Sequence, residues 1–178
     1  DRHTADGLRF ARCTAEDGYC FIEQLSIQMN ENLNIRTANR PDAVALARLA
    51  GELGYPATTA EMKNRLDKLS PKSQHGIFVA ELDSIVGWIH VSLNQSLESD
   101  SFAEIRGLVV AESHRDSGIG THLVATAERW ARNKGCHRIR VRTNIVRERT
   151  RMFYQELGYH SEKTQEVFYK TLYVGGRK

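Results

Sequence analysis

The sequence predicts an α/β domain, and three observations support this fold class. Side chains at 85–93 alternate with a period of two, which is typical of a β-strand. Apolar residues from Ile119 to Ala131 recur at helical spacing. Between these segments, the apolar strand pattern at 102–110 leads into a glycine-containing turn that opens the helix. The 178 residues suffice for one domain with a substantial core.

The N-terminal segment, residues 1–33, shows no sustained periodicity. It is predicted to be a leader or an extension rather than part of the domain. Met29 stands just before the regular pattern begins, so it is a candidate natural start site. The domain itself is predicted to span residues 34–178.

The first part of the domain is predicted to hold a short strand at 34–37 and two helices. The first helix opens at Pro41 and stops at Gly54, because proline costs little in a first turn and glycine commonly follows a helix end. Thr58 and Glu61 have the spacing of a capping box, which predicts the start of the second helix.

The rest of the domain is predicted to contain most of the sheet. A tight connection at 83–84 joins two strands, 77–82 and 85–93, into a hairpin. The later predicted elements are a strand at 102–110, a helix from 119 to a stop at Gly135, a strand at 138–143, a short helix around 153–154 and a last strand at 167–172.

The composition is that of an ordinary globular protein, with 40% hydrophobic and 26% charged residues. No apolar run approaches the roughly 20 residues of a membrane span, so no membrane partner is expected. The three cysteines, Cys13, Cys20 and Cys136, are odd in number and lack the spacing of a zinc site. We therefore expect a reducing, cytoplasmic location and no metal centre.

The net charge of +3 is unevenly distributed along the chain. The segment 138–151 carries six arginines and one acidic residue, whereas Glu98, Asp100 and Glu104 lie together before the first nearby base, Arg106. Each cluster is either a solvated face or part of a site. As sites, they predict a basic side for a polyanionic cofactor and an acidic side for a cationic acceptor.

The glycine turn consists of Arg115, Gly118 and Gly120 with their intervening residues, and it opens a helix after an apolar strand. The first N–H groups of a helix have no intrahelical acceptor, and the helix dipole favours an anion there. A dinucleotide-binding fingerprint would need a third glycine where Leu123 stands. An ordinary tight turn and a phosphate-binding turn both remain open on these residues alone.

In its surroundings, this turn resembles motif A of the GNAT superfamily of acyl-CoA-dependent N-acetyltransferases. That motif has Gln or Arg, two residues, Gly, one residue, then Gly or Ala. Asn144, Phe153-Tyr154 and Leu157-Gly158-Tyr159 resemble motif B, and Phe102-Ala103-Glu104-Ile105 is similar to the strand of members with a glutamate base. The likeness covers residues 34–173. Within the superfamily, the layout loosely resembles small aminoglycoside-type acetyltransferases.

The resemblance implies a mixed, mostly antiparallel twisted sheet with flanking helices. The strands at 104–110 and 138–143 would run parallel and splay apart, which admits the pantetheine of acetyl-CoA, the expected co-substrate. The cofactor-binding residues that it implies are Leu108, Val109, Val110, Arg115, Ser117, Gly118, Ile119, Gly120, Thr121, Asn144 and Arg151.

The resemblance also implies three catalytic groups. Glu104 is expected to act as general base, directly or through a water; the alternative is a strand carboxylate that faces solvent or pairs with Arg106 or His90. The N–H of Leu108 is expected to polarise the thioester carbonyl, and Gly107 before it permits a bulge or a close backbone approach. Tyr154 is expected to protonate the departing thiolate; the alternative is a packing role.

The expected acceptor is the primary amine of a small, cationic molecule. Its site is expected between the loop that joins the first two helices and the facing strands, among acidic and aromatic groups. The candidate residues are 52–56, Trp88, His90, Glu98 and Asp100. A peptide N-terminus, a lysine side chain, a polyamine and an amino acid also remain open as acceptors.

Two other classes of function are weighed against this enzyme. A non-catalytic acyl-CoA-binding or regulatory module would share the fold, but Glu104 and Tyr154 speak against it. A nucleic-acid-binding protein could use the basic face at 138–151, yet the arginine-bearing strand lacks interleaved aromatic residues. Nucleic acid is therefore not the expected partner, and a homodimer is left open.

Overall fold

The computed structural model of the protein describes residues 32–70, 74–144 and 147–172. The interpretation of residues 1–31 as a leader, and of Met29 as a start, lies outside the described residues. The described residues form two compact units, one that ends at Val141 and one that begins at Arg142.

The first unit contains a five-stranded sheet and three α-helices among its described residues. The strands are β1 (Asn34–Thr37), β2 (His75–Glu81), β3 (Ile85–Asn94), β4 (Phe102–Val110) and β5 (Ile139–Val141). The helices are α1 (Ala43–Leu53), α2 (Thr59–Leu69) and α3 (Ile119–Asn133), with short 3-10 turns at Arg40–Asp42 and Glu112–His114.

The sheet has the order β1-β2-β3-β4-β5. The first three pairings are antiparallel, and β4 pairs with β5 in parallel. This arrangement confirms the predicted mixed, mostly antiparallel sheet with one parallel pair.

The helix ends follow the local sequence signals. The hydroxyl of Thr58 accepts a hydrogen bond from the N–H of Glu61 at 3.2 Å, and the carboxylate of Glu61 accepts one from the N–H of Thr58 at 2.8 Å. This capping box starts α2 where it was predicted. Gly54 ends α1 with a φ of 94°, in the left-handed region that glycine occupies without steric cost.

The helices cover both faces of the sheet. Helices α1 and α2 pack on the face that carries Val79, Trp88 and Val109. Helix α3 packs on the opposite face, where Leu123 lies close to Gly87. Because side chains two residues apart on a regular stretch of strand share a face, these contacts assign the strand residues away from the two register shifts to the α1–α2 face or to the α3 face.

A buried carboxylate ties the start of α1 to the sheet. Asp42 is 7% exposed and accepts hydrogen bonds from Arg36 Nη1 at 2.8 Å, Arg36 Nη2 at 3.0 Å and the N–H of Asn39 at 2.8 Å. Arg36 also donates from Nε to Glu81 at 2.8 Å. The network links β1, β2 and the first turn of α1.

The second unit contains α4 (Glu148–Glu156), followed by residues without regular structure up to 172. The predicted last strand at 167–172 is therefore wrong, and the strand predicted at 138–143 is reduced to 139–141. A strand needs a neighbour for its backbone groups and a surface for its side chains. Val167, Phe168 and Tyr169 are 83%, 87% and 93% exposed. In the described structure these residues therefore have neither a strand neighbour nor a surface on which to pack, despite their strand propensity.

We expect Asp42→Asn to lower the free energy of unfolding by about 2 to 3 kcal/mol at pH 7, because the guanidinium of Arg36 loses a buried charged partner. Burial acts to raise the pKa of Asp42. The hydrogen bonds from Arg36 and from the N–H of Asn39 outweigh burial and hold this pKa below its ordinary value. Its contribution is therefore complete above about pH 4 and falls as the pH drops further.

Urea denaturation at pH 7 and pH 3 measures this difference, which should shrink at the lower pH. Asp67→Asn is the matched control, since its ion pair with Arg40 is exposed and should contribute less than about 1 kcal/mol. Equal effects of the two substitutions at pH 7 would contradict the buried tether.

Candidate active site

Strand β4 contains a bulge in its middle. Val91 pairs with Ile105, but the preceding residue of β3, His90, pairs with Gly107. Arg106 is thus an extra residue in β4 without a direct partner in the register. The bulge lies beside Gly107, the residue that was predicted to permit one.

The bulge reverses the direction of the backbone groups that follow it. The N–H of Ala103, before the bulge, donates toward the β5 side at 2.9 Å, whereas the N–H of Ala111 donates to a β3 carbonyl at 2.7 Å. N–H groups alternate between the two sides of a regular strand, so those of Leu108 and Val110 point away from β3. Val109 is 5% exposed, and by the same alternation its N–H points toward β3.

Strand β5 does not pair with this part of β4. The parallel register ends at the pair of Ile105 with Val141, while β4 continues to Val110. Among the residues that the structure describes, the edge of β4 after the bulge therefore has no strand paired with it on the β5 side. Two N–H groups, of Leu108 and Val110, face that edge.

Helix α3 starts at a glycine, so its N-cap residue contributes no side-chain cap. Its N-cap residue, Gly118, has a φ of 78° and a ψ of −6°, and its carbonyl accepts the N–H of His122 at 3.2 Å. Gly120 and Thr121 are half-buried, whereas Ile119 packs in the core. The N–H groups of this first turn form a site with the geometry and dipole that suit an anion.

The turn before Gly118 is held by local contacts. Ser117 donates from its hydroxyl to the carbonyl of His114 at 2.6 Å. Asp116 has a φ of 63°, a conformation that aspartate tolerates better than most residues. Arg115 is exposed, and its Nε donates to the carbonyl of Val110 at 3.4 Å. All six predicted residues from Arg115 to Thr121 thus share one turn and one helix start.

Glu104 is buried among two arginines and an asparagine. It is 2% exposed, and its oxygens accept hydrogen bonds from Arg140 Nη2 at 2.7 Å, Arg106 Nη1 at 3.3 Å and Asn94 Nδ2 at 3.1 Å. Pairing with Arg106 was one of the alternatives that the sequence left open. Arg140 was missed, although a parallel register of β4 with β5 could have indicated it.

Two aromatic residues of β3 lie beside the bulge on the α1–α2 face. The six-membered ring of Trp88 covers Gly107, and its indole Nε1 is buried without a hydrogen-bond partner in the described structure. His90 lies with its Nε2 at 3.0 Å from His75 Nδ1. Burial, with smaller effects of His75 and Arg106, lowers the pKa of His90 to about 4, so it is neutral at pH 7.

The residues predicted to surround the acceptor are only partly brought together. Trp88 and His90 share one sheet face, but Glu52 already binds an N–H of the turn after β4 and an arginine of α1, each at 3.0 Å. Glu98 and Asp100 are exposed in the loop after β3. Six strand residues, about 20 Å, separate Trp88 from that loop.

In the second unit, Tyr154 of α4 is 6% exposed, with ring centroids 5.1 Å from Phe153 and 5.3 Å from Tyr159. Burial raises the pKa of Tyr154 above its ordinary value, so the phenol keeps its proton at neutral pH. Arg151 and Asn144 are exposed.

Cys136 is 7% exposed, and burial raises the pKa of its thiol, which is the behaviour of a packing residue. Across residues 32–70, 74–144 and 147–172, no three histidine, cysteine or acidic side chains cluster as metal ligands. In the same ranges, every helix falls short of the length and hydropathy of a membrane span.

The sequence model of the acetyltransferase (GNAT) family matches residues 42–159. An aminoglycoside N(6')-acetyltransferase type 1 from Serratia marcescens is 29% identical over 118 residues, which cover 66% of this chain and 73% of that protein. The enzyme of the same name from Salmonella typhimurium is 26% identical over 98 residues, covering 52% of this chain and 67% of that protein.

Among solved structures, AAC(6')-Iy in complex with the bisubstrate analogue CoA-S-monomethyl-acetylneamine has a TM-score of 0.69 at 21% identity, covering 79% of this chain and 98% of that one. Glucosamine-6-phosphate N-acetyltransferase from Arabidopsis thaliana has a TM-score of 0.68 at 20% identity, covering 78% and 99%. At these identities the likeness shows the fold.

Gly107→Ala should destabilise the protein by about 1 to 3 kcal/mol, because the new Cβ would lie 2.9 Å from Cζ3 and 3.0 Å from Cη2 of Trp88. Thermal unfolding measures the loss. In a Trp130→Phe background, Trp88 is the only tryptophan left of the 2 in the sequence, and its emission should shift as the ring moves.

Gly51→Ala is the control, since a Cβ at this helical position meets nothing within 4 Å. It should raise stability by about 0.5 to 1 kcal/mol. A Gly107→Ala variant with unchanged stability and unchanged Trp88 emission would show that the ring does not pack on the bulge.

Proposed function

The chain belongs to the acetyltransferase (GNAT) family, and from this premise we propose that it transfers an acetyl group from acetyl-CoA directly to a primary amine of a small molecule. One observation carries the proposal. A strand edge that β5 leaves unpaired, with two outward N–H groups at Leu108 and Val110, leads through a short turn into a helix start whose N-cap residue is Gly118.

The described residues fit the pyrophosphate of coenzyme A. The first-turn N–H groups of α3 receive no side-chain cap from the N-cap residue, because it is a glycine, and Gly118 and Gly120 present no bulky side chain to a ligand. Arg115, partly exposed beside them, can add a charge-assisted contact. We propose that residues 117–121 bind the pyrophosphate, and that Asn144 and Arg151 bind other parts of the cofactor.

Acetyl-CoA supplies a thioester, and the chain must assist three events. The amine nitrogen bonds to the acyl carbon as the carbon–sulfur bond breaks, the amine loses a proton, and the thiolate gains one. We propose that the N–H of Leu108, with Val110 nearby, donates to the acyl oxygen as negative charge develops there. Backbone donors are suited to this because they are already oriented before the reaction.

We propose that Tyr154 gives its proton to the thiolate. A phenol that stays protonated at neutral pH is a competent donor. The general base stays a prediction: Glu104 is the candidate, and both of its oxygens already accept from Arg106, Arg140 and Asn94. A water held by this network would be needed for Glu104 to accept the proton of the amine.

The names of the curated relatives put an aminoglycoside, a small cationic amine, among the acceptors to test. A thiol-release assay with acetyl-CoA and a panel of amines tests the proposal. We expect free thiol to form only with a suitable amine. Cofactor binding that raises the melting temperature, without thiol release for any amine, would instead identify a non-catalytic acyl-CoA-binding module.

Gly118→Val should weaken the binding of coenzyme A at least tenfold in isothermal calorimetry, because it places a branched side chain at the helix start and disfavours the φ of 78°. Gly135→Val is a matched control at the other end of α3. Gly135 has a φ of 76° with open space around its Cβ position, so that variant carries similar backbone strain. Equal affinities of the two variants would remove the turn from the cofactor site.

Tyr154→Phe should lower turnover at least tenfold while the affinity for coenzyme A changes less than about twofold, since only the proton donor is lost. Steady-state kinetics with calorimetry measures both quantities. Tyr169→Phe, at a phenol that is 93% exposed, is the control and should leave turnover unaltered. If the Tyr154→Phe enzyme turns over at the parent rate, another group protonates the thiolate.

A further inference from the structure

A row of polar side chains crosses the sheet on the α1–α2 face. The register pairs His75 with Ser92, Ser92 with Glu104, and Glu104 with Arg140, so the four residues lie side by side on β2, β3, β4 and β5. Directly paired residues share a face, and Ser92 is four residues from Trp88 on β3. The row therefore lies on the same face as Trp88 and the bulge.

The accessible charge of this row is positive. Glu104 is 2% exposed and is enclosed by its partners, whereas the side chains of Arg106 and Arg140 are 39% and 45% exposed. His90 is neutral at pH 7 and adds no charge. A molecule that approaches this face meets two guanidinium groups and a buried carboxylate that compensates only one of them.

Arg140 is held in one orientation by its neighbours. Its Nε and Nη2 donate to the same oxygen of Glu104 at 3.0 and 2.7 Å, and its guanidinium carbon lies 4.2 Å from the ring centroid of Phe102. In the described part of the chain, its Nη1 makes no hydrogen bond. A fixed guanidinium with spare donors is well suited to a carboxylate or a phosphate.

We propose that the acceptor is an amine that also carries a carboxylate or a phosphate, and that Arg140 binds this anionic group with the help of Arg106. The inference rests on the proposed acetyl transfer and names its substrate class. Glu104 then acts as a positioning residue, because it orients both guanidinium groups. The two exposed guanidinium groups disfavour a polycationic amine at this row, which differs from the cationic acceptor that the sequence predicted.

The spacing of the sheet sets the length of the acceptor. Successive side chains on one face of a strand are about 7 Å apart, and the row of Glu104 is one such step from that of Gly107. The N–H of Leu108 is one residue further on. The amine and the anionic group should therefore lie about 7 to 10 Å apart, which is the span of an extended six-carbon amino acid.

The test compares amines of matched chain length that carry an anionic, a neutral or a cationic group at the far end. The carboxylate series is 6-aminohexanoate, 6-aminohexanamide and 1,6-diaminohexane; the phosphate pair is 5-aminopentyl phosphate and 5-aminopentanol; kanamycin represents polycations. We expect kcat/KM for each anionic member to exceed that of its neutral counterpart at least tenfold. The preference between carboxylate and phosphate identifies the natural anionic group.

The Arg140→Gln variant should reduce this anionic preference to less than about threefold, mainly through a higher KM. Arg140→Lys keeps the charge but not the planar fork, so an intermediate preference is expected. This variant replaces Arg140→Gln in the test if Arg140→Gln melts at a much lower temperature. Arg65→Gln, on the exposed side of α2, is the control and should retain the full preference.

The outcomes separate this inference from the function on which it rests. Thiol release that favours kanamycin or 1,6-diaminohexane would overturn the anionic acceptor and leave the acetyltransferase intact. A preference that survives in Arg140→Gln would overturn the role of Arg140. No thiol release with any amine, despite binding of coenzyme A, would overturn both proposals.

Discussion

One extra residue in β4 is the constraint on which the site depends. Because Arg106 bulges out of the register, the N–H groups after it change sides, and those of Leu108 and Val110 face an edge that β5 leaves unpaired. In a regular strand of the same length these donors would bond to β3 and be unable to bind a substrate. A single insertion thus turns two backbone N–H groups away from β3, toward the proposed site.

The chain supports this backbone from both faces of the sheet. Trp88 packs on Gly107 and fills the space beside the bulge, while α3 packs on the opposite face and begins, after a short turn, at Gly118. Near the bulge, charge is concentrated in the network of Glu104 with Arg106 and Arg140. That network costs desolvation, which ion pairing offsets, and it leaves exposed guanidinium groups beside the edge.

Local signals in the sequence predicted much of this fold. The capping box of Thr58, the glycine stop at 54 and the period-two pattern of β3 act over a few residues, so the chain itself encodes them. The turn at Gly118 was predicted from such signals, whereas the parallel pair of β4 and β5 was predicted from a family resemblance. Contacts distant in sequence could not be predicted in this way. Arg140 reaches Glu104 across 36 positions, and 167–172 has strand propensity without a described strand partner.

The most direct test of the account is the response of individual backbone amides to coenzyme A in two-dimensional ¹H–¹⁵N NMR spectra of the labelled protein. The account predicts large chemical-shift changes for the amides of Leu108, Val110 and Gly120, with little change for Val109, whose N–H points toward β3. Unperturbed Leu108, Val110 and Gly120 signals at saturating coenzyme A would contradict it.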